Sequence, residues 1–256
     1  MSGFKDHFSA TAAEYARFRP NYPDALFRWL AIQCRHTGVC WDVATGSGQA
    51  ATGLARHFAS VVATDASASQ LANAEAHPAI DYRCEPAERS TLADQSVDLI
   101  TVAQALHWFD LPAFFAEARR VLRPDGVIAV WCYGRFAGDA QIDSLLAHYY
   151  QHIVGPFWPP ERRWLEQGYD GIDWPFADIA APAFELAADW TLPQLLGYLG
   201  TWSASRAYQQ HHGRDPRELI AARLATAWGE VGQRTIRWPL SLKVARQLPA
   251  AADATL

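Results

Sequence analysis

The chain has 256 residues, 50% of them apolar, 19% charged, and a formal net charge of −5 with no block of Lys or Arg. Such a chain builds an ample core as one domain with insertions, and its charge argues against nucleic acid as the main partner. No apolar run reaches the roughly 18 residues of a membrane span, MSGFKDHF lacks the basic start and apolar run of a signal peptide, and Cys34, Cys40, Cys84 and Cys132 show no CxxC spacing, so the expectation is a soluble cytoplasmic protein with reduced thiols, away from membranes.

In chain order, Thr11 to Phe18 has helical character, Arg19-Pro20-Asn21-Tyr22-Pro23 breaks it, and a helix from Asp24 to about Gln33 follows. The stretch Val39 to Phe58, VCWDVATGSGQAATGLARHF, organises the rest. It begins as an apolar strand, turns through Gly46, Ser47 and Gly48, and resumes as a helix with apolar residues at Ala51, Leu54, Ala55 and Phe58. Glycines there let backbone approach a ligand closely, and the helix start directs free N–H groups at the same spot. Asp42 lies near the carboxyl end of that strand, where open α/β sheets place their ligands.

Strand and helix then alternate. SVVATDAS ends a strand at Asp65, SASQLANAEAH reads as a helix capped by Ser67 or Ser69, AIDYRCEPAE is a third strand, and residues 96–106 form a fourth, apolar enough to be covered on both faces. A helix starts near Asp110, RPDG is a turn, and residues 126–134 are a fifth strand. This pattern predicts a parallel, doubly wound α/β sheet with right-handed crossovers. After Gly134 the period changes: DAQIDSLLAHYYQHI is a helix, followed by a segment rich in Pro, Trp and Gly. Residues 183–190 read as a strand, 192–212 and 217–228 as helices, and RTIRWPLSLKVARQ as the last strand, with Pro239 placing it at an edge or bulge. The organisation expected is a single domain: an N-terminal helical cap (1–38), a nucleotide-binding core (39–134), a lid insertion (135–182), and closing strands with substrate-side helices (183–256).

Asp65 stands 19 residues after Gly46, at a strand end where a carboxylate accepts hydrogen bonds from ribose hydroxyls. GSGQAA also satisfies the dinucleotide pattern GxGxxG/A, so an NAD-dependent oxidoreductase is a fair local reading. Against it stand Asp42 ahead of the glycines, CEPAE after the third strand, and AQALHWFD with its aromatic loop after the fourth.

With those residues, and with YARFRPNYP, DVATGSGQ, VVATDAS, QALHWFD, GPFW and YLGTWSASRAYQQ, the chain resembles the class I S-adenosylmethionine-dependent methyltransferases along nearly its whole length. Within them it is most similar to the small-molecule branch that includes trans-aconitate methyltransferases and the yeast cantharidin-resistance type. The resemblance implies a Rossmann-like sheet of seven strands with the last antiparallel. It implies S-adenosylmethionine as cofactor, with no metal, and a small-molecule acceptor. Asp42, Gly46 and Gly48 would surround the methionine part, Asp65 would hold the ribose, Ala66 and, opposite it, Ala87 and Glu88 would bound the adenine, and Gln104 would lie under the sulfonium. Tyr15 and Arg19 would meet the cofactor carboxylate. Ala44 departs from the family's usual glycine, which implies a less close backbone approach.

Methyl transfer from sulfonium asks mainly for alignment, so aromatic faces and a few polar groups suffice. Trp108 is a candidate face for the sulfonium and His107 a candidate base, with a wall role preferred for His107 because a carboxylate nucleophile needs no base. Arg135, Arg162 and Arg206 would grip an acidic group away from the reacting oxygen, since clamping the nucleophile would blunt it. Trp131, Trp158 and Trp202, among 11 tryptophans, would form an apolar wall. The expected activity is O-methylation of a small molecule at a carboxylate or hydroxyl oxygen by a monomer or homodimer; a non-catalytic S-adenosylmethionine-binding module is the other reading beside the NAD enzyme.

Overall fold

The computed structural model describes residues 20–134 and 136–247. The expected helix at Thr11 to Phe18 and the candidate residues Tyr15, Arg19 and Arg135 lie outside them.

The chain enters through α1 (Asp24–Gln33), which buries Leu26, Phe27 and Leu30 on one face. It continues as β1 (Val39–Val43), α2 (Gln49–Leu54), β2 (Ser60–Asp65), α3 (Ala68–Leu71), β3 (Ile80–Cys84), β4 (Val97–Ala103), α4 (Leu111–Val121) and β5 (Leu122–Tyr133). Then come α5 (Ala140–His148), α6 (Arg163–Glu166), β6 (Ala177–Ile179), β7 (Glu185–Trp190), α7 (Leu192–Gly200), α8 (Ser203–His212), α9 (Glu218–Trp228) and β8 (Arg234–Arg246).

The strands run in the order β3-β2-β1-β4-β5-β8-β6. The first five are parallel, and β8 is antiparallel to both β5 and β6. Strand order reverses between β1 and β4, so the crevice beyond their carboxyl ends is where a ligand is expected to lie. Trp41, Ile100, Phe114 and Val130 pack on one face of the sheet and Leu30, Leu54, Leu99 and Trp131 on the other. This double coverage explains the near-continuous apolar character of β1, β4 and β5.

Five local outcomes differ from the reading of the sequence. First, β8 serves two sheets: residues 240–246 pair with β5 and residues 234–239 with β7. Pro239, which has no N–H to donate, stands at the changeover, and Leu240 resumes donation to the Phe184 carbonyl at 2.9 Å. Strand β7 answers to the strand expected over 183–190, and the short β6, which was not anticipated, is the eighth strand added to the expected seven. Second, the helix expected over SASQLANAEAH stops at Leu71, because the residues that follow expose most of their surface and offer no apolar stripe to bury. Third, the RPDG turn is an extrusion within β5, with Asp125 at φ 65° and the register against β4 shifting between Val97 and Leu99. Fourth, the glycine turn leads into a short helix, α2, of six residues.

The last difference shapes the site. The helix expected over 192–212 breaks after α7, where Trp202 takes extended backbone angles before α8. The break turns the Trp202 ring onto Trp158, with centroids 5.5 Å apart, inside a third cluster built by α5, α7, α8, α9, β7 and the first half of β8.

Candidate functional site

At the end of β1 the backbone passes through left-handed angles three times, at Ala44 (φ 53°), Gly46 (φ 59°) and Gly48 (φ 83°). The amides of this path hold the turn itself: Thr45 donates to the Thr64 carbonyl (2.9 Å) and Gly48 to the Thr45 carbonyl (3.0 Å). Gly48 is required twice over: its φ disfavours any side chain, and a Cβ there would collide with the Tyr82 hydroxyl and approach the Tyr82 ring to 3.0 Å. Ala44 adopts the same region without glycine's freedom.

Two carboxylates hold this turn from behind. Asp65, at the end of β2, accepts from the Gly46 amide (2.9 Å) through one oxygen and from the Ser67 amide (2.8 Å) through the other. Ser67 caps α3, so Asp65 is not needed as the cap. Asp42 is fully buried and accepts from the Thr45 hydroxyl (2.5 Å) and the Thr101 hydroxyl (2.7 Å). Burial pushes its carboxyl up to about 6. Asp42 ties the turn to β4 through Thr45 and Thr101, two residues the sequence reading passed over. A strand-end Asp followed three residues later by Thr was the available signal.

Along the same edge, Ala66 is exposed beside Asp65, Ala87 is buried, and Glu88 accepts from the Asp110 amide at 3.0 Å. After β4, Gln104 sits at φ 61°, its amide donating to the Trp131 carbonyl (2.9 Å) and its Nε2 to the Tyr133 carbonyl (3.0 Å). Its Oε1 is buried and has no hydrogen-bond partner among the described residues.

Gln104 also opens the second compartment, a cavity lined with it by His107, Trp108, Tyr133, Trp158 and Arg162, and closed by Leu165, Tyr198 and Trp202. The Arg162 guanidinium lies 4.2 Å from the centroid of Trp158 and 5.6 Å from that of Tyr150. Its Nε donates to the Tyr150 hydroxyl at 3.1 Å, and that hydroxyl donates to Glu166 at 2.6 Å. Among the described residues Arg162 has no direct ion pair. His107 lies beside Trp108, with ring centroids 4.5 Å apart and planes tilted by 44°, and burial together with Arg162 pushes its imidazole down to about 3.

The structure thus brings Gln104, His107, Trp108, Trp158, Arg162 and Trp202 together. Two residues expected at the acceptor, Trp131 in its wall and Arg206 in its acidic grip, go elsewhere. Trp131 is fully buried on the opposite face of β5, against Tyr22 at 5.5 Å, because its place in the strand points it at α1. Arg206, on α8, donates to the Thr201 carbonyl at 3.2 Å, near the end of α7, instead of lining the cavity. Tyr133, Tyr150, Tyr169 and Tyr198 were missed; single tyrosines at a strand end, in helices and in a glycine-rich turn carry no motif. Among the described residues no group of three or more His, Cys, Asp or Glu is placed to hold a metal ion.

Residues 41–130 match the family model described as a methyltransferase domain. A Dictyostelium discoideum protein named as a methyltransferase is 34% identical over 88% of this chain and 87% of its own length. A Saccharomyces cerevisiae protein named as an S-adenosylmethionine-dependent methyltransferase, CRG1, is 31% identical over 48% of this chain and 45% of its own. The solved structure of a protein described as a type II methyltransferase from Anaeromyxobacter dehalogenans superposes with a TM-score of 0.86 at 42% identity, covering 91% of this chain and all (100%) of that one.

Proposed function

Since the chain belongs to the class I S-adenosylmethionine-dependent methyltransferases, we propose that it methylates a small organic acid or alcohol, with a carboxylate or hydroxyl oxygen as acceptor. The family sets aside the reading of GSGQAA as a dinucleotide site.

The residues at the crevice fit the cofactor. Gly46 and Gly48 leave backbone bare for it, Asp65 is already oriented by two amides and keeps lone pairs for the ribose hydroxyls, and the unpartnered Gln104 Oε1 offers a partial negative charge to a cationic centre. Ala66 would flank the adenine, with Ala87 and Glu88 on its other side; Tyr15 and Arg19 would meet the cofactor's carboxylate. When bound, S-adenosylmethionine supplies a methyl group already activated on sulfonium sulfur. What remains for the protein is alignment and exclusion of water, and Trp108, Trp158, Trp202 and Tyr198 supply apolar faces for both.

The observation that favours an acidic acceptor is Arg162: a guanidinium in the cavity, stacked on Trp158 and lacking a direct carboxylate partner among the described residues. Stacking holds the fork in place, so a second acidic group of the acceptor can bind it while the reacting oxygen stays free. Arg135 would add to this grip. The four free cysteines, two of them buried, suit the reducing cytoplasm.

Thermal shift with S-adenosylhomocysteine and with NADH, followed by transfer of labelled methyl groups to a panel of mono- and dicarboxylic acids, tests the reading. Stabilisation by S-adenosylhomocysteine and turnover of the diacids are expected. Stabilisation by NADH alone would overturn it, and turnover confined to amines would remove the oxygen acceptor.

A further inference from the structure

We infer that Tyr169 fixes His107 in the tautomer that carries its proton on Nε2, so that His107 donates a hydrogen bond to the acceptor's anionic end and does not serve as a base. His107 is then a binding residue and Tyr169 a positioning residue acting through it.

The geometry begins with a short helical turn, Leu106–Trp108. The Tyr169 side chain packs against this turn and is fully buried. Its hydroxyl oxygen is 3.2 Å from His107 Nδ1. A phenol carries one proton and can accept through its lone pairs. With no other acceptor for its O–H among the described residues, the buried hydroxyl has Nδ1 to donate to. Burial reinforces this by pushing the phenol well above its ordinary range, so the proton stays on Tyr169. A neutral imidazole that accepts at Nδ1 must carry its hydrogen on Nε2.

Nothing nearby offers to protonate the ring further. The buried imidazole faces the Arg162 guanidinium, a like charge to an imidazolium, and both line the cavity. Nε2, on the far side of the ring from Tyr169, has no hydrogen-bond partner among the described residues. His107 and Arg162 therefore present donors together, an arrangement suited to an anion and unsuited to removing a proton. Tyr169 reaches this place at a conformational cost. It is fully buried at φ 64°, following Gly168 at φ 60°, in a turn closed by its amide on the Trp164 carbonyl at 2.8 Å. A tyrosine in the left-handed region is uncommon, and such outliers concentrate where a side chain has to be positioned.

The consequence rests on the methyltransferase reading: with no base in the chamber, the acceptor oxygen must arrive ionised, which a carboxylate does at neutral pH and an alcohol does not. The test of the tautomer does not rest on it. Nitrogen NMR of the full chain labelled with ¹⁵N-histidine, with His107→Gln to assign the signals, is expected to show His107 as the Nε2–H form from about pH 5 to about pH 9. Tyr169→Phe should convert it to a mixture of tautomers. An Nδ1–H signal in the unaltered protein, a titration near pH 6.5, or tautomers unmoved in Tyr169→Phe would each overturn the inference, and the unaltered protein decides the matter alone if Tyr169→Phe does not fold. In kinetics, Tyr169→Phe should raise KM for an acid acceptor roughly 3- to 10-fold, the loss of one neutral hydrogen bond, leaving kcat without a new basic limb in its pH profile. Calorimetry with S-adenosylhomocysteine is the separate control: absence of binding would remove the methyltransferase reading and leave the tautomer result standing.

Discussion

The glycine turn and the aromatic chamber share Gln104 at their boundary, yet they are built from different materials. At the turn, backbone makes the surface and buried carboxylates hold it: Asp65 on the Gly46 amide, Asp42 on two threonine hydroxyls. In the chamber, side chains make the surface, with Trp158, Trp202, Tyr150 and Tyr198 packed on one another at 5.0 to 5.7 Å. A surface of backbone tolerates no added atom, whereas a surface of rings can be trimmed with graded loss. Substitutions should therefore act abruptly in the first region and gradually in the second.

The sharpest break is expected from Gly48→Ala. Its methyl would have to displace Tyr82 and sit at φ 83°, a combined cost of about 2 to 5 kcal/mol. Melting should fall accordingly and S-adenosylhomocysteine binding should vanish in calorimetry; a variant with ordinary stability and affinity would mean that the turn is not rigid.

The two regions also carry buried ionisable groups whose pH effects have opposite signs. Asp42 is raised from 3.8 to about 6 in the fold, so between these values the folded chain holds a proton the unfolded chain has lost, and stability falls as pH rises. Asp42→Asn removes that slope, improving relative to the parent by about 3 kcal/mol between about pH 4 and about pH 6.5. His107 is lowered from 6.5 to about 3, so stability is complete above the upper value and is lost as pH falls toward the lower. His107→Gln should then gain on the parent by about 2 kcal/mol on going from about pH 6.5 to about pH 5. Urea titrations across this range check both signs, and parallel curves for the parent and either variant would refute the corresponding assignment.

Two single contacts come next. Asp65→Ala removes the acceptor for two amides and the proposed ribose contact, which should weaken cofactor binding by about 1.5 to 3 kcal/mol, roughly 10- to 150-fold by calorimetry. Arg162→Gln should raise KM for an acidic acceptor roughly 10- to 30-fold, about 1.5 to 2 kcal/mol, without weakening S-adenosylhomocysteine. If Arg162→Gln weakened the cofactor equally, the division between turn and chamber would fail.

The same contrast explains what could be read from the amino acids. Alternating strands and helices up to β5, Gly46 and Gly48 at the turn, and Asp65 at the end of β2 follow from local rules that short peptides obey. The chamber follows no local rule. Trp131 and Trp202 look alike in composition, but strand geometry sends the first to α1 while a break between α7 and α8 sends the second to the cavity. Arg162 and Arg206 were indistinguishable until the fold placed one on Trp158 and the other on a carbonyl at the end of α7. Tertiary packing decides such cases, and it is absent from spacing along the chain.

Ala44 is the smallest expected effect and the closest test of how rigid the turn has become. At φ 53° an alanine carries about 1 to 2 kcal/mol of backbone strain, which Ala44→Gly would relieve. The unfolded chain gains freedom from the same change, at about 0.4 to 1 kcal/mol, and the lost methyl removes a contact with the core cluster beneath the turn. The terms nearly cancel, so the melting free energy should move by less than about 1 kcal/mol, toward greater stability. A destabilisation beyond about 1 kcal/mol would show that the methyl is packed tightly enough to outweigh the strain. Cofactor affinity separates the two readings of this position: if Ala44 holds the backbone away from the ligand, Ala44→Gly binds S-adenosylhomocysteine more tightly, whereas unchanged affinity means that Gly46 and Gly48 alone define the approach.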